Sequence, residues 1–168
     1  MNNIKNNLLS VVKTFAVVAA IGLSIGKAQG VFITEIADPH NVANGGRFVE
    51  PYNNTDADVD LTGWVLRRWT NANTDPQADK ALQGTIPAGG FFIITNSASD
   101  FEITYYIEAN QDIGTGGPAD GNGDDDLALI NANGEVVDLY GEGGGTDNSG
   151  TSWEFEDGRA ERIATVTA

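Results

Sequence analysis

Two neighbouring stretches of this sequence decide its fold: Phe48-Val49-Glu50-Pro51-Tyr52-Asn53 and Val59-Asp60-Leu61-Thr62-Gly63-Trp64. Both contain β-branched or aromatic residues next to turn-forming residues, which is typical of strands. Asn53 ends the first stretch and Gly63 lies near the end of the second, and both residues favour turns. The two stretches therefore predict consecutive strands of a β-protein.

The first stretch contains a residue that is unusual in a strand. Pro51 cannot donate a hydrogen bond to a ladder, so we expect its strand to be an edge strand or to carry a bulge. In the second stretch, Gly63 permits a tight turn into the strand that follows. We expect Leu61 and Trp64 to enter the core beside Phe48.

Similar short runs continue on both sides, separated by clusters of Gly, Asn, Asp and Thr. No long helical period is present, so the pattern predicts an all-β sandwich of about seven to nine strands. Predicted strands cover residues 31–36, 47–52, 64–69, 81–86, 91–95, 127–130, 135–139, 152–156 and 159–163, and residues 59–61 lead through Gly63 into the third.

Residue types give four local predictions. Asn133-Gly134 between two apolar runs predicts a hairpin with a type I′ turn, and Asp157-Gly158 predicts a final hairpin. The continuous apolar run 91–94 indicates a strand covered on both faces. Residues 97–106 mix helix-capping serines with residues that favour extended structure, and we expect an irregular segment there.

The order of these elements resembles the lamin tail domain family. The resemblance rests on the two opening stretches and extends over residues 31–163, with matching elements at Ile33 to Ala37, Ile86 to Gly90, Asn122 to Asp125 and Trp153-Glu154. It implies an immunoglobulin-like antiparallel β-sandwich and a non-enzymatic interaction domain. In exported bacterial proteins of this family, the domain is commonly appended to nucleases and other hydrolases.

The N-terminus predicts export. Lys5 and Lys13 precede an apolar run from Phe15 to Ile25, and small residues follow at Ala28 and Gly30. This run is too short for a membrane-spanning helix, which needs about 20 apolar residues. We therefore expect residues 1–30 to be a cleaved signal peptide and residues 31–168 to form one domain, with a C-terminal truncation left open.

Charge and composition exclude several classes of function. The chain has 24 acidic and 9 basic residues, for a net charge of −15, which argues against direct nucleic-acid binding. It contains no Cys, and His40 is its one imidazole. Any metal would therefore be held by oxygen ligands, as calcium is.

The acidic segment 120–126 predicts where calcium would bind. Alternating oxygen-bearing side chains on a glycine-kinked loop can converge on a cation. The candidate ligands are Asp120, Asn122, Asp124, Asp125 and Asp126, with Glu35 and Glu50 from earlier strands as completing ligands. The alternative is a solvated acidic turn that caps the following strand.

Three aromatic residues are candidate ligand contacts. Trp69, Tyr105 and Tyr106 would stack on sugars if they lie outside the core, and otherwise they pack within the sandwich. No motif for a nucleophile and its base surrounds His40. We expect no enzymatic activity.

The sequence thus predicts an exported, non-catalytic binding or scaffolding module. Calcium stabilisation of the 120–126 loop is an additional hypothesis. The alternatives are a calcium-dependent carbohydrate-binding module and an accessory piece of a secreted nuclease or other hydrolase. The expected partner is a protein or polysaccharide, met in the periplasm, at the cell surface or in the medium, with no membrane contact after signal cleavage. A strand edge near Pro51 is a candidate place for strand addition.

Overall fold

The computed structural model describes residues 30–40 and 46–163. The predicted signal peptide lies outside these residues except for Gly30. The described part contains eleven strands, an α-helix and a 3₁₀ helix. They are β1 (Val31–Ala37), β2 (Phe48–Asn53), β3 (Val59–Asp60), β4 (Val65–Trp69), β5 (Lys80–Ala81), β6 (Thr85–Ile86), β7 (Ile94–Thr95), α1 (Ala98–Tyr105), β8 (Gln111–Asp112), the 3₁₀ helix Pro118–Asp120, β9 (Asp126–Ile130), β10 (Val136–Tyr140) and β11 (Arg159–Glu161).

The strands form two facing sheets, which confirms the predicted all-β sandwich. The first sheet has the order β11-β1-β2-β7-β8 and the second the order β10-β9-β4-β5, while β3 and β6 pair separately. All pairs are antiparallel except β7 and β8, which α1 connects in parallel. The strand number exceeds the prediction because residues 59–60 form a strand of their own, residues 81–86 divide between two ladders and β8 was not predicted, although residues 152–156 form no strand.

The main core lies between the two sheets. Strand alternation turns Ile94 of the first sheet towards Leu66 and Leu129 of the second, and all three are fully buried. Burial of each such side chain contributes about 1.5–3 kcal/mol. Leu61 joins this core and Trp64 packs against it, as predicted.

A second, smaller core lies on the outer face of the first sheet. Phe48 points there, so its predicted position beside Leu61 is wrong. The covering element is α1, which contributes Phe101 and Tyr105 and begins where the Ala98 N–H donates to the Asp112 carboxylate, 2.9 Å away. The expectation of an irregular segment at 97–106 is therefore wrong, because tertiary contacts stabilise this short helix.

The apolar run 91–94 is buried on both faces only in part. Phe92 and Ile94 enter the main core, and Ile93 lies beneath α1. Phe91 is exposed and contacts Tyr52. Within residues 30–40 and 46–163, no helix has the length and apolarity needed to cross a bilayer.

Pro51 lies in a central strand, not at an edge. Strand β2 pairs with β1 on one side and β7 on the other, so the edge alternative is wrong. The bulge alternative holds for the pair, because Thr34 of β1 is inserted between the partners of Pro51 and Glu50. The Thr34 hydroxyl lies 2.9 Å from the Glu50 carbonyl oxygen, which compensates for the interrupted ladder.

The predicted hairpin of β9 and β10 is confirmed, but the prediction of a type I′ turn is wrong. Gly134 has a positive φ of 82°, whereas Asn133 does not have the positive φ that a type I′ turn requires. Asn131 organises the turn instead: its Oδ1 accepts from the N–H groups of Asn133 and Glu135.

The predicted final hairpin is wrong. Residues 152–156 form no strand, and β11 pairs with β1, opposing Ala160 to Ile36. Phe155 accounts for the difference, because it enters the main core and its N–H donates to the Gly123 carbonyl. This insertion separates residues 152–156 from β11.

Candidate functional site

The four aspartates Asp120, Asp124, Asp125 and Asp126, here called the aspartate cluster, lie near one end of the sandwich. Asp126 is 1% exposed and organises the glycine-rich segment that follows β10. Its carboxylate accepts from the N–H of Gly144 at 2.6 Å, from the N–H of Glu142 at 3.1 Å and from Asn148 Nδ2 at 2.6 Å. All its oxygens therefore have protein donors.

Asp125 forms a buried ion pair with Arg68. The two side chains approach to 3.3 Å, and the Asn71 N–H also donates to the carboxylate at 3.2 Å. Burial raises the pKa of Asp125, against the opposing effect of Arg68. Burial likewise lowers the pKa of Arg68. Desolvation is thus the largest influence on both partners, and each depends on the other for compensation.

The carboxylates of Asp120 and Asp124 accept hydrogen bonds from other groups. Asp120 accepts from Asn96 Nδ2 at 2.7 Å and from the Gly116 N–H at 2.6 Å. One oxygen of Asp124 accepts from Asn71 Nδ2 and the Ser149 hydroxyl. Its other oxygen, Oδ1, is buried without a hydrogen-bond partner.

The side chains predicted to bind calcium are therefore not arranged as one coordination sphere. Asn122 is exposed, whereas Asp124, Asp125 and Asp126 are buried and hydrogen-bonded to separate donors. In the part of the chain that the structure describes, no group of three or more His, Asp or Glu side chains is placed to hold a metal ion. Calcium binding stays a prediction.

Glu35 and Glu50 meet each other on the first sheet instead. Glu35 lies opposite Glu50 across β1 and β2 and opposite Glu161 across β1 and β11. Burial raises the pKa of Glu35, Arg159 lowers it, and the two neighbouring glutamates raise it further. The structure thus unites the two predicted glutamates with a third that sequence reasoning did not identify.

The three predicted aromatic contacts do not share one surface. Trp69 is 8% exposed and packs with Ala128 and Ile130 of the second sheet. Tyr105 packs on Phe48 of the first sheet, and Tyr106 is 89% exposed at the end of α1. Trp69 therefore offers no exposed platform for a sugar.

A groove of about 540 Å³ opens between β1 and β11 of the first sheet and the end of β10 in the second. Its apolar walls include Leu139 and Trp153, which are 40% and 41% exposed. Three glutamates also line it. They are Glu35, Glu142 and Glu161.

Hydrogen bonds and ring packing fix the Trp153 side of the groove. The Tyr140 hydroxyl donates to the Trp153 carbonyl oxygen, and the Tyr140 ring packs edge-on against Phe155 at 5.6 Å. Burial raises the pKa of Tyr140 to about 12, so its hydroxyl remains a donor at neutral pH. The wall is therefore attached to the core through Phe155.

An ion pair holds the two sheets together beside the groove. Arg162 Nη2 lies 2.6 Å from Asp138 Oδ2 of β10, and Arg162 Nε donates to the Ile33 carbonyl at 2.7 Å. The Ile33 N–H donates to Asp138 at 2.7 Å. The Arg162 and Asp138 side chains therefore hydrogen-bond to the backbone N–H and carbonyl of Ile33, where β11 no longer pairs with β1.

This architecture places the protein in the class of immunoglobulin-like β-sandwiches. The family model of the Lamin Tail Domain matches residues 26–144, well over half of the chain. The chain therefore belongs to the lamin tail domain family, a non-catalytic family, as its resemblance indicated. No curated protein matches the chain.

The groove itself was missed by sequence reasoning. The family match ends at Gly144, so Trp153, Arg162 and Ile163 lie beyond it. An available signal was the apolar character of Val136, Val137 and Leu139 at the end of a predicted hairpin. Their exposure depends on the sheet order, which the hairpin alone does not determine.

Proposed function

We propose that this chain is an exported, non-catalytic binding module that holds its partner in the groove between the sheets. The observation that carries the proposal is the groove itself. It combines partly exposed apolar walls with acidic side chains, whereas most large apolar residues of the domain are buried. Exposed apolar surface of this kind marks interaction sites.

Export is the first part to test. Expression of the full chain in a bacterial host, followed by mass spectrometry of the extracytoplasmic fraction, should yield a product that begins at Val31. The control is a variant with Lys5 and Lys13 changed to Glu, which should reduce export. Recovery of the uncleaved wild-type chain in the cytoplasm would contradict this part.

Binding through the groove is the second part. Displayed random peptides selected on the folded wild-type domain should lose binding to Leu139→Ser. They should keep binding to Ile103→Ser, which changes an exposed apolar residue of α1 away from the groove. Equal binding to both variants, or no enrichment, would reject the groove as the binding site.

Calcium stabilisation is a separable part with its own observation. Asp124 Oδ1 and Asn148 Oδ1 are buried acceptors without a hydrogen-bond partner, and such atoms are found beside bound waters or ions. Calcium should raise the melting temperature relative to chelator by a few degrees, corresponding to about 1 kcal/mol. The same comparison with Asp124→Asn should show no rise. An equal melting temperature of the wild type in calcium and chelator would reject this part.

The groove favours a peptide over a polysaccharide as partner. Its walls are formed largely by aliphatic side chains, including Ile33, Leu139 and Ile163. Sugar recognition depends more on exposed aromatic platforms; Trp69 is buried, and in the groove Trp153 stands among aliphatic side chains. Retention on polysaccharide columns that is lost in Trp153→Ala would instead support the carbohydrate alternative, and turnover of nuclease, glycosidase or esterase substrates would contradict the non-catalytic assignment.

A further inference from the structure

We propose that the groove binds an extended, positively charged peptide segment, which pairs as an additional strand with the free edge of β10. The inference rests on the proposed function and specifies the chemistry of its partner. Three features support it: the strand edge, the apolar walls beside that edge, and the charge around them.

The strand edge is the first feature. Strand β10 is terminal in the second sheet, and residues 136–140 are long enough to pair with another strand. It has neither Pro nor Lys, but a register irregularity lies between Val136 and Asp138 and Asp138 is an inward-pointing charge, both of which protect an edge. The part of the edge open to a partner is therefore its end at Leu139 and Tyr140, which lines the groove. This end is suited to strand addition.

The opposite side of the sandwich shows how an edge is protected here. Strand β5 has only two residues. The side chain of Gln111 connects it to the first sheet, donating to the Ala81 carbonyl at 3.0 Å and accepting from the Gln83 N–H at 3.0 Å. Within the described residues, the side-chain bridges from β10 are those of Asp138 to Ile33 and Arg162 and of the Tyr140 hydroxyl to the Trp153 carbonyl.

The apolar walls are the second feature. Leu139 and Trp153 stand beside the strand edge and Ile163 lies across the groove. In an added strand, alternate side chains point to the same face, so every second residue of the segment would enter the groove. An apolar residue at alternate positions fits these walls.

Charge is the third feature and selects the partner. Glu142 and Glu161 line the groove with Glu35, and Arg159 pairs with Glu35 and Glu161 while Arg162 pairs with Asp138. The four carboxylates and two arginines leave a net charge of −2 around the groove. The whole chain has a net charge of −15, so a second copy would bring repelling charges to the same edge. A cationic segment is complementary to this surface.

The test uses a synthetic peptide of about eight residues with alternating Lys and Val, long enough to cover the β10 edge. Trp153 fluorescence should change on binding, and Trp153→Phe should remove the signal while hydrogen exchange still detects binding. The amides of residues 136–140 that point away from β9 should become at least about tenfold more protected, because they are newly hydrogen-bonded to the peptide.

Matched peptides separate backbone pairing from charge. A version N-methylated at the residues that pair should bind on the order of tenfold more weakly, because backbone hydrogen bonds are lost without any change to the protein. A Glu–Val version should show no binding. Equal binding of either peptide to that of the Lys–Val peptide would overturn the proposal.

A protein variant tests the glutamates that line the groove. Glu142→Gln with Glu161→Gln should weaken binding of the Lys–Val peptide about tenfold, and the control Glu102→Gln, an exposed residue of α1, should not. A wild-type dimer with protected β10 amides would overturn the proposal in favour of a second copy. Binding that appears only when the chain is shortened after Ile163 would overturn it in favour of residues 164–168.

The two proposals fail differently. If the peptide selection yields groove-dependent binders that are neither cationic nor sensitive to N-methylation, the proposed function stands and this inference falls. If no peptide needs Leu139, both fall.

Discussion

The aspartate cluster and the glutamates of the groove carry the same charge in opposite surroundings. Asp125 and Asp126 are almost completely buried, and arginine, asparagine and backbone N–H groups surround them. Glu142 and Glu161 lie at a surface groove beside exposed apolar side chains. A buried carboxylate with internal donors stabilises a loop, whereas one at an open apolar surface remains available to a partner.

The connection between the two regions is short. Asp126 receives the N–H groups of Glu142 and Gly144, and Gly141 and Glu142 form part of the groove. The buried cluster therefore positions one wall of the exposed site. Variants in the cluster should chiefly lower stability, and variants in the groove should chiefly lower binding.

Removing Arg68 should have the largest effect on stability. Arg68→Met leaves Asp125 buried without its partner and should lower the free energy of unfolding by about 3–5 kcal/mol, measured by urea unfolding at pH 7. Arg67→Met breaks a more exposed pair with Asp79 and should cost less than about 1 kcal/mol. The double variant Arg68→Met with Asp125→Asn should recover most of the stability lost in Arg68→Met. Equal losses in Arg68→Met and Arg67→Met would show that burial does not make the Arg68 pair more important than the Arg67 pair.

A methyl group at Gly141 should have the next largest effect. A Cβ there would lie 1.7 Å from Asp126 Oδ1, and φ is 89°. Gly134 has a φ of 82° with open space around it, so Gly134→Ala isolates the cost of the backbone conformation. Gly141→Ala should be less stable than Gly134→Ala by about 1–3 kcal/mol in urea unfolding. Similar losses would show that the cluster tolerates displacement of Asp126.

Glu35 should show a smaller, pH-dependent effect. Burial raises its pKa above the ordinary value of 4.5, so the folded state holds this proton more tightly than the unfolded chain. Its favourable contribution is thus complete below that value and is lost as pH rises through the folded pKa. Glu35→Gln should exceed the wild type in stability at pH 7 by less than about 1 kcal/mol, with no difference below about pH 4.

Urea unfolding at both pH values measures this difference, and Glu102→Gln controls for the loss of one exposed charge. A variant less stable than the wild type at pH 7 would show that the ion pair with Arg159 outweighs burial.

Leu139→Ser should have the smallest effect on stability. The residue is partly exposed in the groove, so its free energy of unfolding should change by less than about 0.5 kcal/mol. Leu129→Ala in the main core should cost about 2–5 kcal/mol. A large loss of stability in Leu139→Ser would place the groove wall among the structural elements and weaken its role in binding.

Local sequence determined the elements whose contacts are close in the chain. The β9–β10 hairpin follows from two apolar runs and a four-residue turn. In the turn after β2, Asn53 accepts from the Thr55 N–H and donates to the Ala57 carbonyl. Helix α1 was not predictable in this way. It depends on Asp112, Phe48 and Ile93, which are distant in sequence or belong to other elements.

The candidate site shows the same division more strongly. The sequence identified the acidic residues but assigned Glu35 and Glu50 to the same site as residues 120–126. Cross-strand pairing instead brings Glu35 beside Glu161, more than a hundred residues later in the chain. Registers between distant strands depend on the complete packing arrangement, which no local pattern contains.

By itself, the sequence determined that this protein is acidic and rich in β-structure, because strand-forming runs, turn residues and net charge are local or additive properties; its resemblance to the lamin tail domain family implied the sandwich. The tertiary structure alone decided which carboxylates are buried and which surround an open groove. It did so by inserting Phe155 into the core and pairing β11 with β1, which leaves β10 as a free edge. Burial and donor access then determine what each carboxylate can do.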